Sequence, residues 1–236
     1  MLALIPWLVA AALLSAVLLN ILSRTSLAKH FADMPGHRKV HERVVPRLGG
    51  IGIVLSFLVL ITTAQTFGFW DISHRFLLSV VFTSLFILVA GAFDDTLSLG
   101  YRSKFLLQFL LAGIVVCAFG LHFDKVSLFT ADVSLGGLGM VVSIFWMVGL
   151  MNAINLIDGI DGLAGGVAVV GFAGVAALAF GAGDSDPVAV CALLSGAVLG
   201  FLYYNFQDRR KIFLGDTGSQ FLGAMLALLT LEIHDS

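Results

Sequence analysis

Apolar runs fill the chain and leave little room for anything else. Eight of them can be counted, roughly residues 2–22, 48–67, 75–92, 105–121, 138–154, 163–182, 187–204 and 219–233. A bilayer-spanning helix needs about 20 mostly apolar residues. Backbone polar groups must be satisfied within lipid, so each run is expected to be a helix rather than a strand. Only 12% of the residues are charged and 59% are hydrophobic, against about a quarter charged in an ordinary soluble domain. The fold class predicted is therefore an all-α membrane protein of about eight transmembrane helices, a single integral-membrane unit over 1–236.

The first run has no basic residue ahead of it, which argues against a cleavable signal. With the N-terminus outside, eleven of the thirteen Lys and Arg fall in inside loops, and only Arg75 and Lys125 remain outside. Basic residues favour the cytoplasmic side, so this orientation is expected, with the C-terminus also outside. A net charge of -2 gives no reason to invoke nucleic acid. Cys117 and Cys191 lie in apolar runs and read as small buried side chains rather than a disulfide. The outside segment 121–137 contains two alternating stretches, KVSLF and DVSLG, that fit a small hairpin.

In this orientation the unusual polar residues gather at one face: HRKVHERVVPRLGG (37–50), FDDTLSLGYRSK (93–104), NAINLIDGIDG (152–162) and NFQDRRKIFLGDTGS (205–219). Asp94 and Asp95 are costly inside a bilayer, so they belong at the end of the third span. Adjacent carboxylates tolerate one another when a cation or proton lies between them. Arg102 and Lys104 follow within one loop, so phosphate and metal could be held side by side. Asn152, Asn155, Asp158 and Asp161 recur every three residues. Three residues advance a helix by about 300°, so an unbroken helix would spread the four over half its circumference. Gly159 and Gly162 mark where it ends and lets the last two turn inward. Asp216 reads as a helix cap, and a helix N-terminus also binds phosphate. His37 and His41 stand four residues apart, with no third ligand nearby to complete a zinc site. Trp70 and the Tyr203–Tyr204 pair, at span ends, read as interfacial anchors. Carboxylates, cations and glycines at a membrane face are the parts phosphoryl transfer needs. An oxygen-rich site suits Mg²⁺ or Mn²⁺.

Four stretches in this order, HRKVHERVVPRLGGIGI, GAFDDTLSLGYRSK, NAINLIDGIDGLAGG and KIFLGDTGSQFLG, resemble the polyprenyl-phosphate N-acetylhexosamine-1-phosphate transferases. VPRLGG places the chain nearer the branch that begins O-antigen, teichoic-acid or arabinogalactan-type glycans than the muropeptide branch. The resemblance implies transfer of a sugar-1-phosphate from a UDP-N-acetylhexosamine such as UDP-GlcNAc to undecaprenyl or decaprenyl phosphate. The products are a polyprenyl-diphosphate sugar and UMP. It implies a magnesium or manganese cofactor and a bacterial cytoplasmic (inner) membrane, with the active face cytoplasmic, and it is compatible with a homodimer. Residue by residue, it implies Asn155 and Asp216 as metal ligands. Asp94 and Asp95 would align or deprotonate the lipid phosphate, and Lys104 would contact phosphate. Asp161 and Phe213 would meet the nucleoside, and Asp158 would order the site. His37, Lys39 and His41 would border the sugar-phosphate pocket. Members of this family continue through further spans and a His/Arg-rich cytoplasmic loop, whereas this sequence ends at LEIHDS. That leaves a catalytically incomplete relative, or a fragment, acting as a membrane partner as the alternative. An ion-coupled transporter would put charges in mid-span, and almost none are there. A CDP-alcohol type phosphotransferase would add to DGIDGLAGG an arginine and a further spaced aspartate, both absent.

Overall fold

The computed structural model describes residues 2–33, 44–128 and 131–235. Eight long helices are present: α1 (Ile5–Leu22), α3 (Gly49–Thr66), α4 (His74–Leu97), α5 (Tyr101–Ala118), α6 (Gly137–Ile157), α7 (Leu163–Ala182), α8 (Ser185–Asn205) and α9 (Gly215–Asp235). A one-turn helix, α2 (Leu27–His30), follows α1. Strands β1 (Ala32–Asp33) and β2 (Val45–Pro46) pair antiparallel, as do β3 (Lys125–Leu128) and β4 (Ala131–Ser134). The second pair is the hairpin expected from alternation.

Seven of the eight long helices are long and apolar enough to cross a membrane; α9 is not among them when the described residues are searched. Nevertheless α9 is the centre of the bundle. Phe221, Leu222, Ala224, Met225, Leu228 and Leu229 have no exposed surface. It packs against α3, α4, α6 and α7. A helix wrapped by other helices does not need a lipid-soluble surface, so it can carry Gln220 and Glu232 at little cost.

The rest of the bundle is laid around it. α8 packs against α1, α3 and α7. On α8, Gly196 and Gly200 lie one turn apart, and a Cβ at either would collide with the carbonyl oxygen of Leu8 or Ala12 on α1. Small residues at this spacing let two backbones approach where lipid supplies no hydrophobic drive.

Several boundaries differ from the sequence reading, and the differences matter. α4 runs to Leu97, so Asp94 and Asp95 belong to its last turns. α5 begins at Tyr101, so Arg102 and Lys104 are helical rather than in a loop. α9 begins four residues before the expected span. Local polarity ended the predicted spans too early; the helices continue because their polar ends find partners. Cys191 is buried as expected, but Cys117 is exposed. Tyr203 is exposed, whereas Tyr204 is buried, and the two rings meet edge to face. Trp70 packs on Trp7, with ring centroids 4.8 Å apart.

Candidate active site

The site is assembled around the first turn of α9. Three backbone hydrogen bonds fix the approach to it. Phe213 N–H donates to Pro46 C=O (2.9 Å), Gly49 N–H to Phe213 C=O (2.9 Å), and Gly50 N–H to Leu214 C=O (2.8 Å). Gly215, at φ +77°, then turns the chain into the helix. A side chain there would sit 2.9 Å from both carboxylate oxygens of Asp95. One turn before Asp95 on the same face of α4, a Cβ at Gly91 would sit 2.5 Å from Thr217 Cα. Glycine therefore lets α4 and α9 cross almost backbone to backbone.

That crossing delivers Asp95 to the free N–H groups that open every helix. Its carboxylate accepts from Asp216 N–H (2.7 Å), Thr217 N–H (3.0 Å) and Thr217 Oγ1 (2.7 Å). Asp95 is the cap of α9, supplied from another helix and favoured by the helix dipole. This corrects the expectation that Asp216 itself caps.

Asp94, next in sequence, points elsewhere. Its Oδ1 accepts from Leu99 N–H (3.1 Å), and its Oδ2 from Gln220 Nε2 (3.3 Å). Oδ2 also lies 2.8 Å from Lys104 Nζ. The same ammonium is 2.8 Å from Asp216 Oδ1. Asn155 Nδ2 donates to that same Asp216 oxygen and to Ser219 Oγ, both at 2.8 Å. Acid from α4, cation from α5, carboxamide from α6 and acid from α9 thus meet within one connected network. Asp94 is 3% exposed, while the side chains of Lys104 and Asp216 are each 21% exposed and form its accessible edge.

The Asn–Asp series splits where α6 stops. Asn152 points inward, donating to Gln108 Oε1 (2.7 Å). Gln108 Nε2 continues to Gln220 Oε1 (3.5 Å), which leads back to Asp94. Asp158 caps the end of α6, outside the span. Burial, reinforced by the nearby charges of Asp216 and Asp95, pushes its carboxyl up to about 7; Arg47 opposes the shift, and Asp161 adds to it. Asp161 pairs with Lys211 at 2.6 Å. Gly162, at φ +74°, donates its N–H to Asn205 Oδ1 (2.6 Å). Asn205 Nδ2 in turn donates to Ile212 C=O (3.0 Å). One buried carboxamide therefore ties the turn after α6 to the strand of chain that carries Phe213.

Of the residues chosen from sequence, Asp94, Lys104, Asn155 and Asp216 touch directly or through one ammonium. Asp95 joins them through the start of α9, and Asp158 through its charge. Asp161 stands beside Lys211, and half-buried Phe213 enters through its backbone. His37, Lys39 and His41 lie outside the described residues. Gln108, Thr217, Ser219, Gln220 and Asn205 were not singled out. Gln108 gave a signal, a lone carboxamide inside an apolar run; Thr217 and Ser219 looked like ordinary capping residues.

Among the described residues, no three His, Cys, Asp or Glu side chains are grouped as a metal cage. The Asp216 carboxylate with the Asn155 carboxamide beside it would suit a hard divalent ion of the magnesium type, which typically takes one or two carboxylates and completes its shell with water and substrate phosphates. The carboxylates of Asp94 and Asp216 already face a single cationic atom, the Lys104 nitrogen. Asn155 would have to present its amide oxygen instead of the nitrogen.

A family model described as Glycosyl transferase family 4 matches residues 77–234. Among similar proteins, a Bacillus subtilis protein named "Probable undecaprenyl-phosphate N-acetylglucosaminyl 1-phosphate transferase" is 33% identical over 222 residues, covering 91% of this chain and 60% of the relative. The phospho-N-acetylmuramoyl-pentapeptide-transferase of Streptococcus pneumoniae is 34% identical over 207 residues, covering 80% and 60%. That of Streptococcus suis is 36% identical over 205 residues, covering 80% and 59%. The chain thus spans about 60% of the length of these relatives.

Proposed function

The chain belongs to glycosyl transferase family 4, and on that premise we propose that it moves an N-acetylhexosamine-1-phosphate from a UDP-sugar to a polyprenyl phosphate. An oxygen of the lipid phosphate attacks the sugar-bearing phosphorus of the nucleotide sugar. The bond from that phosphorus to the bridging oxygen breaks, UMP leaves, and a polyprenyl-diphosphate sugar remains. UDP-GlcNAc is the donor the reading favours, since a relative named for N-acetylglucosaminyl 1-phosphate transfer covers most of the chain.

The observation that carries the reading is the Lys104 ammonium shared by Asp94 and Asp216. Two phosphate groups must be brought together against their mutual repulsion, and a fixed cation between fixed acids is suited to that task. In this scheme Lys104 turns from its carboxylates toward a phosphate oxygen. Asp94, held by Leu99 N–H and Gln220, orients the lipid phosphate or takes its proton. Asp95 holds α9, and thereby Asp216, in place. Asp161 and Phe213 contact the nucleoside on the side of Lys211. A divalent ion, Mg²⁺ or Mn²⁺, would be held by Asp216 and Asn155 and would supply charge neutralisation on the diphosphate. The site end of the bundle faces the cytoplasm, following the bias of basic residues.

The test uses membranes containing the full 236-residue chain, radiolabelled UDP-GlcNAc, polyprenyl phosphate and Mg²⁺. A labelled lipid appears together with UMP, and tunicamycin suppresses it. Label that stays in UDP-GlcNAc in the presence of folded protein would overturn the proposal.

A further inference from the structure

A second concave site lies at the same end of the bundle, and neither Asp94 nor Asp216 lines it. It is a cavity of about 380 Å³ between the end of α1, strand β2 and the segment joining α8 to α9. Arg24 comes from the α1 side and Arg209 and Arg210 from the joining segment, so three arginines from two distant parts of the chain line one hollow. No ion pair occupies them among the described residues, although Asp208 is also in the wall. Lys211 lines the same hollow, but its ammonium is committed to Asp161. α1 is the least buried of the candidate spans, and Ile21 and Val44 beside the cavity are both 53% exposed. A phosphate in the hollow would therefore have apolar protein surface next to it.

From this we infer that the cavity binds the phosphate headgroup of an anionic bilayer lipid, with the acyl chains lying along the outer face of α1. Guanidinium forks match phosphate oxygens in pairs, and basic pockets at helix ends on the cytoplasmic side take anionic headgroups in this way. The far wall is Ile212, whose carbonyl is fixed by Asn205, and Pro46, whose carbonyl holds Phe213. A bound headgroup would brace the segment that carries Phe213 toward the active site.

The inference does not depend on the proposed reaction, and binding tests it. The full chain is reconstituted in nanodiscs of mixed phosphatidylcholine and phosphatidylglycerol, and the retained lipid is counted by native mass spectrometry. Phosphatidylglycerol is expected to be enriched. Each of Arg24→Gln, Arg209→Gln and Arg210→Gln should reduce the enrichment roughly fivefold, the equivalent of ~1 kcal/mol per basic group at an anionic surface. Arg102→Gln removes the same charge from the same end outside the cavity, and it should leave the phosphatidylglycerol enrichment unchanged. If millimolar inorganic phosphate displaces the lipid in the wild type but not in the triple variant, the phosphate chemistry of the cavity is upheld. If phosphate binds there with no lipid preference, the lipid assignment is overturned in favour of a soluble phosphate. Equal enrichment in wild type and all variants, or an equal loss in Arg102→Gln, overturns the inference.

Discussion

The two ends of the bundle carry acids in similar number but use them differently. At the end with the β3–β4 hairpin, three acids each serve a partner of their own. Asp184 caps the helix that follows it, Asp186 accepts from Ser73 N–H, and Glu232 pairs with Arg75 at 3.4 Å. At the other end, four helices send side chains to one point, and the carboxylates of Asp94 and Asp216 share the Lys104 ammonium instead of each having its own. A cap needs one acceptor and a few N–H groups; a charge-sharing cluster stabilises nothing that a cap could not. The convergence is what a polyphosphate substrate would require, and the opposite end shows what the same residues look like without it.

The sharpest way to break that contrast is to remove one acid from each end. Asp216→Asn and Asp94→Asn should each lower transfer by a factor on the order of 10² or more, the usual scale for losing a charge that acts in the transition state, with the helical circular-dichroism signal unchanged. Asp186→Asn should stay within a few-fold of wild type in the same assay. Comparable losses at both ends would remove the distinction.

Asp95 refines it. Because this carboxylate caps α9, Asp95→Ala should cost about 1–2 kcal/mol of stability and should lower melting temperature and transfer together. Asp94→Asn should lower transfer alone. A loss of activity in Asp95→Ala with no thermal shift would show that Asp95 acts on substrate directly rather than through α9.

Phe213→Ala should raise the KM for the UDP-sugar more than that for the lipid. Equal changes would place the ring away from the nucleoside.

Asp158 gives the smallest and most specific effect. Its carboxyl titrates near 7 in the folded protein, well above its ordinary value of 3.8. The folded state then binds more protons than the unfolded one between those values, so stability falls as pH rises from about 4 to about 7. Asp158→Asn removes the penalty, and its melting temperature should exceed that of wild type at pH 8 and approach it at pH 4 to 5. A constant difference across that range would mean that Asp158 is not held among the other acids.

Much of this was legible in the sequence, and the losses have physical causes. Each apolar run became a helix because length and hydropathy leave few options in lipid. The hairpin followed from alternation. The described parts of the four polar stretches do meet at one end. Hidden from the sequence was the division of labour between neighbours. Asp94 and Asp95 are adjacent in sequence, yet the ~100° between neighbours on a helix sends the first to Lys104 and the second to the start of α9. Nor did hydropathy reveal that the least apolar span is the central one, because a helix surrounded by protein is not selected for lipid solubility. Gln220 and Asn205 escaped for the same reason: their partners are more than a hundred residues away or across a turn, and no local pattern encodes that.

The convergence itself is tested most directly by a double-mutant cycle between Asp94 and Asp216, read as kcat/KM for transfer. Residues that act as one unit are strongly non-additive. The combined Asp94→Asn, Asp216→Asn variant should be no more than a few-fold slower than the slower single variant. If the two losses multiply as those of independent residues, the acids serve separate environments and the shared site does not exist.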